Sequence, residues 1–187
     1  MIKMSPNPVF FSIQGEGYLT GVPMIFIRLA GCDCNCSGCD TDYSKDSEME
    51  IETLSSYSCN HPDVNHVWIT GGEPTLQPKV EELIRRFRST GMTVCLATHR
   101  NEKMGATFVS FSPHTQKDHN QYASEIKLIP NLNGFDAEKY YKDNISKYSR
   151  WYIQPQPGEE KEAVDLVMKY PADLKLSLQT HKYLNML

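Results

Sequence analysis

Short runs of β-branched and aromatic residues recur along the chain, and polar segments containing glycine or proline separate them. Such runs are typical of buried strands. The runs that predict strands are residues 24–29, 66–70, 93–97, 108–111, 125–129 and 150–154, with a further strand expected at 174–178. The chain therefore alternates between strand-forming runs and other segments over most of its length.

Helical spacing of apolar residues marks some of the segments between these strands. The clearest stripe, at i, i+3, i+4 and i+7, consists of Val80, Leu83, Ile84 and Phe87. Pro78 precedes it and Gly91 follows it, which predicts a helix between those residues. Two more helices are predicted, from the N-cap Asp136 to residue 148 and over 159–169. The polar stretch 98–105 has no such stripe, so one connection is predicted to lack a helix.

Strands that alternate with helices predict a parallel sheet with right-handed crossovers. A complete (β/α)8 barrel typically takes about 250 residues, and this chain has 187. We therefore expect a single domain over residues 1–187, an incomplete barrel of about six parallel strands with a reduced set of helices. Four unusual segments follow predicted strands, and we expect them to meet at one rim of the sheet. They are residues 30–41, 71–74, 112–114 and 154–157.

Charge and composition exclude several classes of function. The net charge of −4 and the pI of about 5.9 give no basic surface for nucleic acid. No apolar run of 18 residues exists and the first 20 residues are polar in part, so we expect neither a membrane span nor a signal peptide. The expected location is the cytoplasm, where thiols stay reduced and clustered cysteines favour metal binding over disulfides.

Three cysteines, Cys32, Cys36 and Cys39, have the spacing C-x3-C-x2-C. Thiolates at this spacing can reach one metal centre, and iron–sulfur clusters and zinc are the centres that thiolates select. Three ligands leave one coordination position open, which is the mark of a metal site that carries out chemistry. Cys34 is a fourth thiol in the loop and could replace Cys32, and a structural zinc site is the alternative to a cluster.

The cysteine loop is followed by the turn Gly71-Gly72-Glu73-Pro74, and together they resemble the radical S-adenosylmethionine (SAM) superfamily. Further motifs resemble the 7-carboxy-7-deazaguanine synthase family, from about residue 9 to the last residue. These motifs are Ser-Ile-Gln-Gly-Glu-Gly at 12–17, Arg-Leu-Ala-Gly-Cys at 28–32, Cys-Asp-Thr at 39–41, Thr-Gly-Gly-Glu-Pro at 70–74 and Leu-Gln-Thr-His-Lys at 178–182.

The resemblance implies a lyase reaction. Cys32, Cys36 and Cys39 would hold a [4Fe–4S] cluster whose free iron takes the amino and carboxylate groups of SAM. One electron would break the SAM C–S bond, and the resulting 5′-deoxyadenosyl radical would remove hydrogen from 6-carboxy-5,6,7,8-tetrahydropterin. The ring contracts to 7-carboxy-7-deazaguanine, ammonia leaves and SAM is regenerated. The resemblance also implies a Mg²⁺ ion, a reductant such as flavodoxin or ferredoxin, and a homodimer.

The resemblance also assigns roles to residues. The residues implied to contact SAM are Gly72, Glu73, Ser112, Pro113, His114, Gln154, Pro155, Gln156 and Pro157. Those implied to contact the pterin are Ile13, Gln14, Gly15, Glu16, Arg28, Thr70, His181 and Leu187. Arg28 would pair with the substrate carboxylate, since a guanidinium can form a bidentate bond. Gly71 and Gly72 would allow close approach of SAM. Thr41 would be a Mg²⁺ ligand, or alternatively a cap or turn residue.

Four positions depart from the family pattern. Cys34 is additional, and Gly38 stands where many relatives have an aromatic residue. The segment Ala97-Thr98-His99-Arg100 stands where relatives often have Glu-Thr-Asn-Gly, which puts a polar role at Ala97 in doubt, and His114 stands where lysine is common. Drift without consequence is the simple explanation for each, and for His114 a functional change is equally open.

Two other functions remain alternatives. A small radical SAM activase, which places a glycyl radical on a partner protein, shares the cysteine spacing but does not explain Gln14, Arg28 or the tail at 179–181. A non-catalytic electron-transfer protein with an iron–sulfur cluster would need no SAM turn. The sequence does not distinguish whether the product would serve tRNA or DNA modification.

Overall fold

One mixed sheet organises residues 1–186, the part of the chain that the computed structural model describes. The strands of this part are β1 (Ile2–Ile13), β2 (Pro23–Leu29), β3 (Ser47–Met49), β4 (His66–Gly71), β5 (Thr93–Thr98), β6 (Phe108–Phe111), β7 (Glu125–Leu128), β8 (Trp151–Ile153) and β9 (Leu174–Leu176). The helices are α1 (Ile51–Ser56), α2 (Val80–Ser89), α3 (Ala137–Asn144), α4 (Glu160–Lys169) and α5 (Thr180–Tyr183).

The strands lie in the order β3-β1-β2-β4-β5-β6-β7-β8-β9. From β2 onward every neighbouring pair is parallel, whereas β1 pairs antiparallel with both β2 and β3. The two ends of the sheet, β3 and β9, do not pair with each other, so the barrel is incomplete. The expectation of a partial barrel is confirmed, and the predicted last strand is its far edge.

Every strand expected from an apolar run forms within two residues of its predicted bounds. β1, β3, α1 and the four-residue α5 were not expected. β1 contains Pro6 and Pro8, which interrupt the strand pattern, and its register with β2 shifts between Met4 and Val9. Proline cannot donate a ladder hydrogen bond, so strands tolerate it only at irregular or edge positions such as these. β3 and α1 are only 3 and 6 residues long, too short for periodicity to reveal.

The three predicted helices are confirmed. The Asp136 carboxylate accepts a hydrogen bond from the backbone N–H of Lys139 at 2.8 Å, so Asp136 is the N-cap of α3 as expected. α3 ends at Asn144 and a 3₁₀ turn, Ile145–Lys147, continues it. In the described residues β5 and β6 are joined without a helix, also as expected. None of the helices in residues 1–186 has the length and apolarity that crossing a membrane requires.

Alternation along the parallel strands gives the sheet two different faces. One face packs against α1 and α2 through aliphatic residues such as Ile27, Ile69 and Leu96. The other face carries a small cluster that includes Phe26, Trp68 and Cys95. Cys95 is fully buried, so it is a core residue. Continuing the alternation by two residues puts polar side chains on this second face near the carboxyl ends of the strands. These residues are Arg28, Thr70, Ser110, Lys127 and Gln154.

The buried stripe of α2 leads to a prediction about stability. Phe87 is fully buried, and Phe87→Ala should lower the free energy of unfolding by about 3–5 kcal/mol, because it removes buried area and leaves a cavity. Arg85→Ala, on the exposed face of the same helix, should change it by less than about 0.5 kcal/mol. Urea unfolding of the cluster-free protein measures both, and similar losses in the two variants would contradict the assigned packing.

Candidate active site

Two neighbouring cavities open at the carboxyl ends of the parallel strands. The first, of about 300 Å³, is lined by the cysteine loop and is called here the cysteine cavity. The second, of about 250 Å³, is lined by Arg28 and is called the arginine cavity. The residues that line both are Glu16, Asp40, Thr41, Thr70, Gln179 and Lys182. Groups bound in the two cavities would therefore be in close proximity.

The cysteine cavity collects the segments that were expected to meet at one rim. Its walls include all four thiols of the loop and the turn after β4. The residues expected to contact SAM that line it are Gly72, Glu73, Ser112, His114, Gln154, Pro155, Gln156 and Pro157. Pro113 is buried beside them and is not part of the wall. The topology of the sheet thus brings four segments distant in sequence to one cavity.

The glycine turn after β4 supports the cysteine loop directly. The N–H of Gly72 donates to the Leu29 carbonyl at 3.2 Å, and the N–H of Glu73 donates to the Gly31 carbonyl at 2.9 Å. A Cβ at residue 72 would overlap the Gly31 carbonyl oxygen. Packing of the turn against the loop therefore already requires glycine. Close approach of SAM, the expected reason for this glycine, is not needed to explain it.

The thiol positions distinguish between a single ion and a larger cluster. Among the described residues, two groups bring their ligand atoms within 4.8 Å of one another: Cys34, Cys36 and His114, and Cys32, Asp33 and His99. The set Cys32, Cys36 and Cys39 is not among these compact groups. Zinc–sulfur bonds of about 2.3 Å would hold three thiolates within roughly 4 Å of one another. The predicted ligand set is therefore more open in this structure than one zinc ion requires, whereas Cys34, Cys36 and His114 are close enough to share a single ion.

Three thiols of the loop, those of Cys32, Cys34 and Cys36, are protonated in the absence of a cation. Burial raises the pKa of Cys32 and Cys36, and burial together with the neighbouring thiols raises the pKa of Cys34 to about 12. A metal centre binds thiolates and must displace these protons. The donor set of soft sulfurs in a partly buried loop therefore suits an iron–sulfur cluster, which supplies the positive charge that the loop lacks.

Glu73 is held by donors of the protein on both carboxylate oxygens. Oε1 accepts from Thr75 and from the Thr98 hydroxyl at 2.8 Å, and Oε2 accepts from the backbone and ring of His99 at 2.9 Å. Burial acts to raise the pKa of Glu73, but the His99 bonds outweigh it and hold the pKa below its ordinary value. Glu73 therefore joins the glycine turn to the end of β5 and holds the ring of His99 in place.

Glu16 and Lys127 form a largely buried ion pair where the two cavities meet. The Lys127 ammonium donates to Oε2 of Glu16, and the amides of Gln154 and Gln179 donate to Oε1 at 3.3 and 2.8 Å. Burial would raise the pKa of Glu16, but Lys127 lowers it below the ordinary value. Burial would lower the pKa of Lys127, but Glu16 raises it. Both groups are therefore charged at neutral pH.

The arginine cavity collects the residues expected to contact the pterin. The expected residues on its wall are Ile13, Gln14, Gly15, Glu16, Arg28, Thr70 and His181. The guanidinium of Arg28 lies over the Phe10 ring, 5.0 Å from its centre, and Thr70 is its neighbour on β4. Burial lowers the pKa of Arg28 from its ordinary value, and Asp40 opposes this. No carboxylate in residues 1–186 forms an ion pair with Arg28, so its donors are available to a ligand.

The C-terminal segment closes one side of the arginine cavity. Thr180 donates its backbone N–H to the Gly15 carbonyl at 3.0 Å, and the His181 ring occupies the space that a Cβ at residue 15 would need. Lys182 pairs with Asp40, next to Cys39 in the loop. The tail is thus tied to the N-terminal motif and to the cysteine loop. Leu187, whose carboxylate was expected to contact the substrate, lies outside the described residues.

Two further expectations concern Thr41 and Gly38. Thr41 lies in the irregular segment between β2 and β3, where it caps no helix, and its hydroxyl donates to Asp40 at 3.3 Å. Thr41 is therefore not a helix cap. The turn role and the Mg²⁺-ligand role of Thr41 both stay predictions. At Gly38 the Gln156 side chain occupies the space of a Cβ, so Gln156 stands where an aromatic residue would otherwise project.

Sequence reasoning missed three residues of the site. Lys127 lines the cysteine cavity. A lysine between Ile126 and Leu128 in an otherwise apolar strand was the sequence feature that could have indicated it. His99 was noted only as a departure from a pattern, although it bridges Glu73 and Asp33. Asp40 was quoted within a motif without a role, yet it joins the loop to the tail.

Comparison with protein families identifies the chemistry of the loop. A family model described as "4Fe-4S single cluster domain" matches residues 13–126. A 7-carboxy-7-deazaguanine synthase from Bacteroides thetaiotaomicron is 33% identical, and the match covers 96% of each chain. The enzyme of the same name from Haemophilus influenzae is 29% identical over 93% of this chain and 90% of that relative.

Solved structures are similar in fold. QueE from Escherichia coli has a TM-score of 0.74 at 23% identity, covering 94% of this chain and 93% of that chain. SuiB from Streptococcus suis, bound to precursor peptide SuiA, has a TM-score of 0.56 at 12% identity, covering 82% of this chain and 47% of that chain. At these identities the likeness concerns the fold, and it agrees with the partial barrel described above.

The ion pair at the junction of the cavities leads to a prediction with a pH dependence. Lys127→Met should lower the free energy of unfolding at pH 7 by about 3–5 kcal/mol, because it leaves Glu16 charged and unpaired. The native pKa of Glu16 lies below its ordinary value of 4.5, so the pair stabilises the protein above that pH and the contribution is lost as the pH falls through the native pKa. The difference in the free energy of unfolding between wild type and variant should therefore be smaller at pH 4 than at pH 7.

The matched control is Lys161→Met, which breaks the exposed ion pair with Asp165. It should lower the free energy of unfolding by no more than about 1 kcal/mol. Urea unfolding of the cluster-free proteins at the two pH values gives all four numbers. A Lys127→Met effect that matches the control, or a difference that does not depend on pH, would contradict the role of the pair.

Proposed function

Because the chain belongs to the 7-carboxy-7-deazaguanine synthase family of radical SAM enzymes, we propose that it converts 6-carboxy-5,6,7,8-tetrahydropterin to 7-carboxy-7-deazaguanine with loss of ammonia. The observation that carries the proposal is the pair of cavities with a common wall. One is lined by thiols and the glycine turn, and the other by Arg28 and Glu16. This arrangement suits a reaction in which a bound cofactor must act on a substrate next to it.

The cysteine cavity would hold the cofactors. Cys32, Cys36 and Cys39 would ligate the [4Fe–4S] cluster, leaving one iron free for SAM. When bound, the cluster and SAM supply a radical able to remove hydrogen from carbon. The protein's own contribution is to hold them: the backbone of residues 71–73 fixes the loop, and residues 154–157 and Ser112 border the space that the nucleoside of SAM would occupy.

The arginine cavity would hold the pterin. Arg28 would form a bidentate, charge-assisted bond with the substrate carboxylate, and its position over Phe10 keeps the guanidinium oriented. Gln14, Gly15, Glu16, Thr70 and His181 border the remaining space. Glu16 is already charged and held by Lys127, so it can accept hydrogen bonds from the amino groups of a pterin without reorganising.

We further propose a Mg²⁺ ion at Thr41, whose hydroxyl lies on the wall common to both cavities. A hydroxyl together with substrate oxygens and water suits this hard cation. By analogy with the family, the chain would act as one radical SAM domain over residues 1–187 in the cytoplasm. It would work as a homodimer, with flavodoxin or ferredoxin as the reductant. The alternatives, an activase or an electron-transfer protein, do not account for the arginine cavity.

The proposal is tested by the reaction itself. Protein purified without oxygen and loaded with iron and sulfide should convert the pterin to 7-carboxy-7-deazaguanine when given SAM and a reductant, without net loss of SAM. Omission of Mg²⁺ should slow product formation. Cleavage of SAM that does not depend on the pterin would favour another substrate. A colourless, zinc-loaded protein after iron reconstitution would contradict any radical chemistry.

Arg28→Ala tests the substrate side separately. The variant should bind the pterin about ten- to a hundredfold more weakly, because a charge-assisted bond to a carboxylate contributes about 1.5–3 kcal/mol. Cleavage of SAM in the absence of pterin should stay near the wild-type level. Arg150→Ala is a matched control, since Arg150 also stacks on a ring, that of Tyr18 at 4.4 Å, and lines neither cavity. Equal losses of pterin binding and of SAM cleavage in Arg28→Ala would refute the assigned role.

A further inference from the structure

Three departures from the family pattern meet at one place beside the cysteine loop. Cys34 is the additional thiol, and His99 and His114 each replace a residue that relatives often have. The Cys34 Sγ lies 3.4 Å from Nε2 of His99 and 3.4 Å from Nδ1 of His114. The two imidazole rings stack with their centres 4.8 Å apart. Three side chains from separate parts of the sequence therefore form one group in the structure.

This group is directed at one of the expected cluster ligands. Nδ1 of His114 lies 3.7 Å from the Cys36 Sγ, within the range of an N–H···S hydrogen bond. The Cys36 and Cys34 sulfurs and Nδ1 of His114 all lie within 4.8 Å of one another. The sulfur of Cys36 thus has two potential donors, a thiol and an imidazole, which do not belong to the cysteine motif.

The ring of His114 is held in place from two sides. Its backbone N–H donates to the Asp118 carboxylate at 2.9 Å, and Asp118 also accepts from Thr115. His99, against which the ring stacks, is fixed in turn by Glu73 on Nδ1 and Asp33 on Nε2, at 2.9 and 3.0 Å. Because the histidines are half-buried, a bond from His114 to a sulfur is little weakened by water.

We propose that Cys34 and His114 donate hydrogen bonds to the Cys36 thiolate and raise the reduction potential of the [4Fe–4S] cluster. The inference rests on the proposed function, since it requires a cluster on Cys36. Reduction adds one electron, supplied by the external reductant, and increases the negative charge on the thiolate ligands. Donors directed at a ligand sulfur stabilise the reduced form more than the oxidised form, and so raise the potential. No bond to Cys34 or His114 forms or breaks in this step.

A different role for Cys34 is ligation of the cluster in place of Cys32. Cys34 already lies in hydrogen-bonding contact with both histidines, whereas Cys32 accepts the backbone N–H of Cys34 at 3.4 Å. An N–H directed at Cys32 is a typical arrangement around a ligating sulfur. These contacts favour Cys32 as the ligand and Cys34 as a donor beside it.

The test is a redox titration of the reconstituted protein in the absence of SAM, followed by electron paramagnetic resonance of the reduced cluster. His114→Ala and Cys34→Ala, which leave no donor at either position, should each lower the ratio of reduced to oxidised cluster at a fixed potential. For the histidine variant the expected change is about tenfold, which equals about 59 mV for a one-electron couple. His114→Asn, whose amide nitrogen can take the place of Nδ1 and still donate, should recover part of the shift. Iron and sulfide per chain should stay at the wild-type level in all three.

The controls are His119→Ala and Cys59→Ala, which remove an exposed imidazole and an exposed thiol that line neither cavity. They should leave the potential unchanged. An unchanged potential in both His114→Ala and Cys34→Ala would overturn the inference, as would loss of iron from Cys34→Ala, which would identify Cys34 as a ligand. A wild-type protein that takes up no cluster would instead contradict the proposed function, so the two failures are distinguishable.

Discussion

The ion pair between Glu16 and Lys127 is the interaction on which the arrangement of the site depends. Lys127 comes from β7, the third strand from one edge of the sheet, and Glu16 from the turn after the first strand. Gln154 and Gln179 complete the shell of Glu16 with donors from the end of β8 and from the tail. A charge in this largely buried place is tolerated only when it is paired and hydrogen-bonded. Four segments must therefore come together for either charge to be stable, and the wall between the two cavities forms where they meet.

Alternation along the strands explains why this wall is polar. Phe26 and Trp68 belong to the apolar cluster on the second face of the sheet. Two residues further along the same strands, this face carries Arg28 and Thr70. The sheet thus changes from apolar to polar toward its carboxyl end, where the loops that follow the strands also gather. The cavity walls are built from strand ends and from tightly packed turns, so the groups that would contact cofactor and substrate are positioned before either binds.

The parallel strands and three helices were predictable because each has a clear apolar period and recognisable breakers. β1 was not, because Pro6 and Pro8 interrupt a strand whose pairing shifts register, and α1 has only one turn and a half. The wall residues carried by motifs were predictable in the same way. Lys127 and the grouping of Cys34, His99 and His114 were not, because each depends on contacts between segments far apart in sequence. Only the topology of the sheet brings these residues together.

A crystal structure of the reconstituted protein with SAM and 6-carboxy-5,6,7,8-tetrahydropterin, with anomalous data at the iron edge, tests the central claim most directly. We expect iron bound to the sulfurs of Cys32, Cys36 and Cys39, with the pterin in the arginine cavity and its carboxylate on Arg28. Glu16 should lie between the two ligands and remain paired with Lys127. Iron bound through Cys34, or a pterin outside the arginine cavity, would contradict this claim.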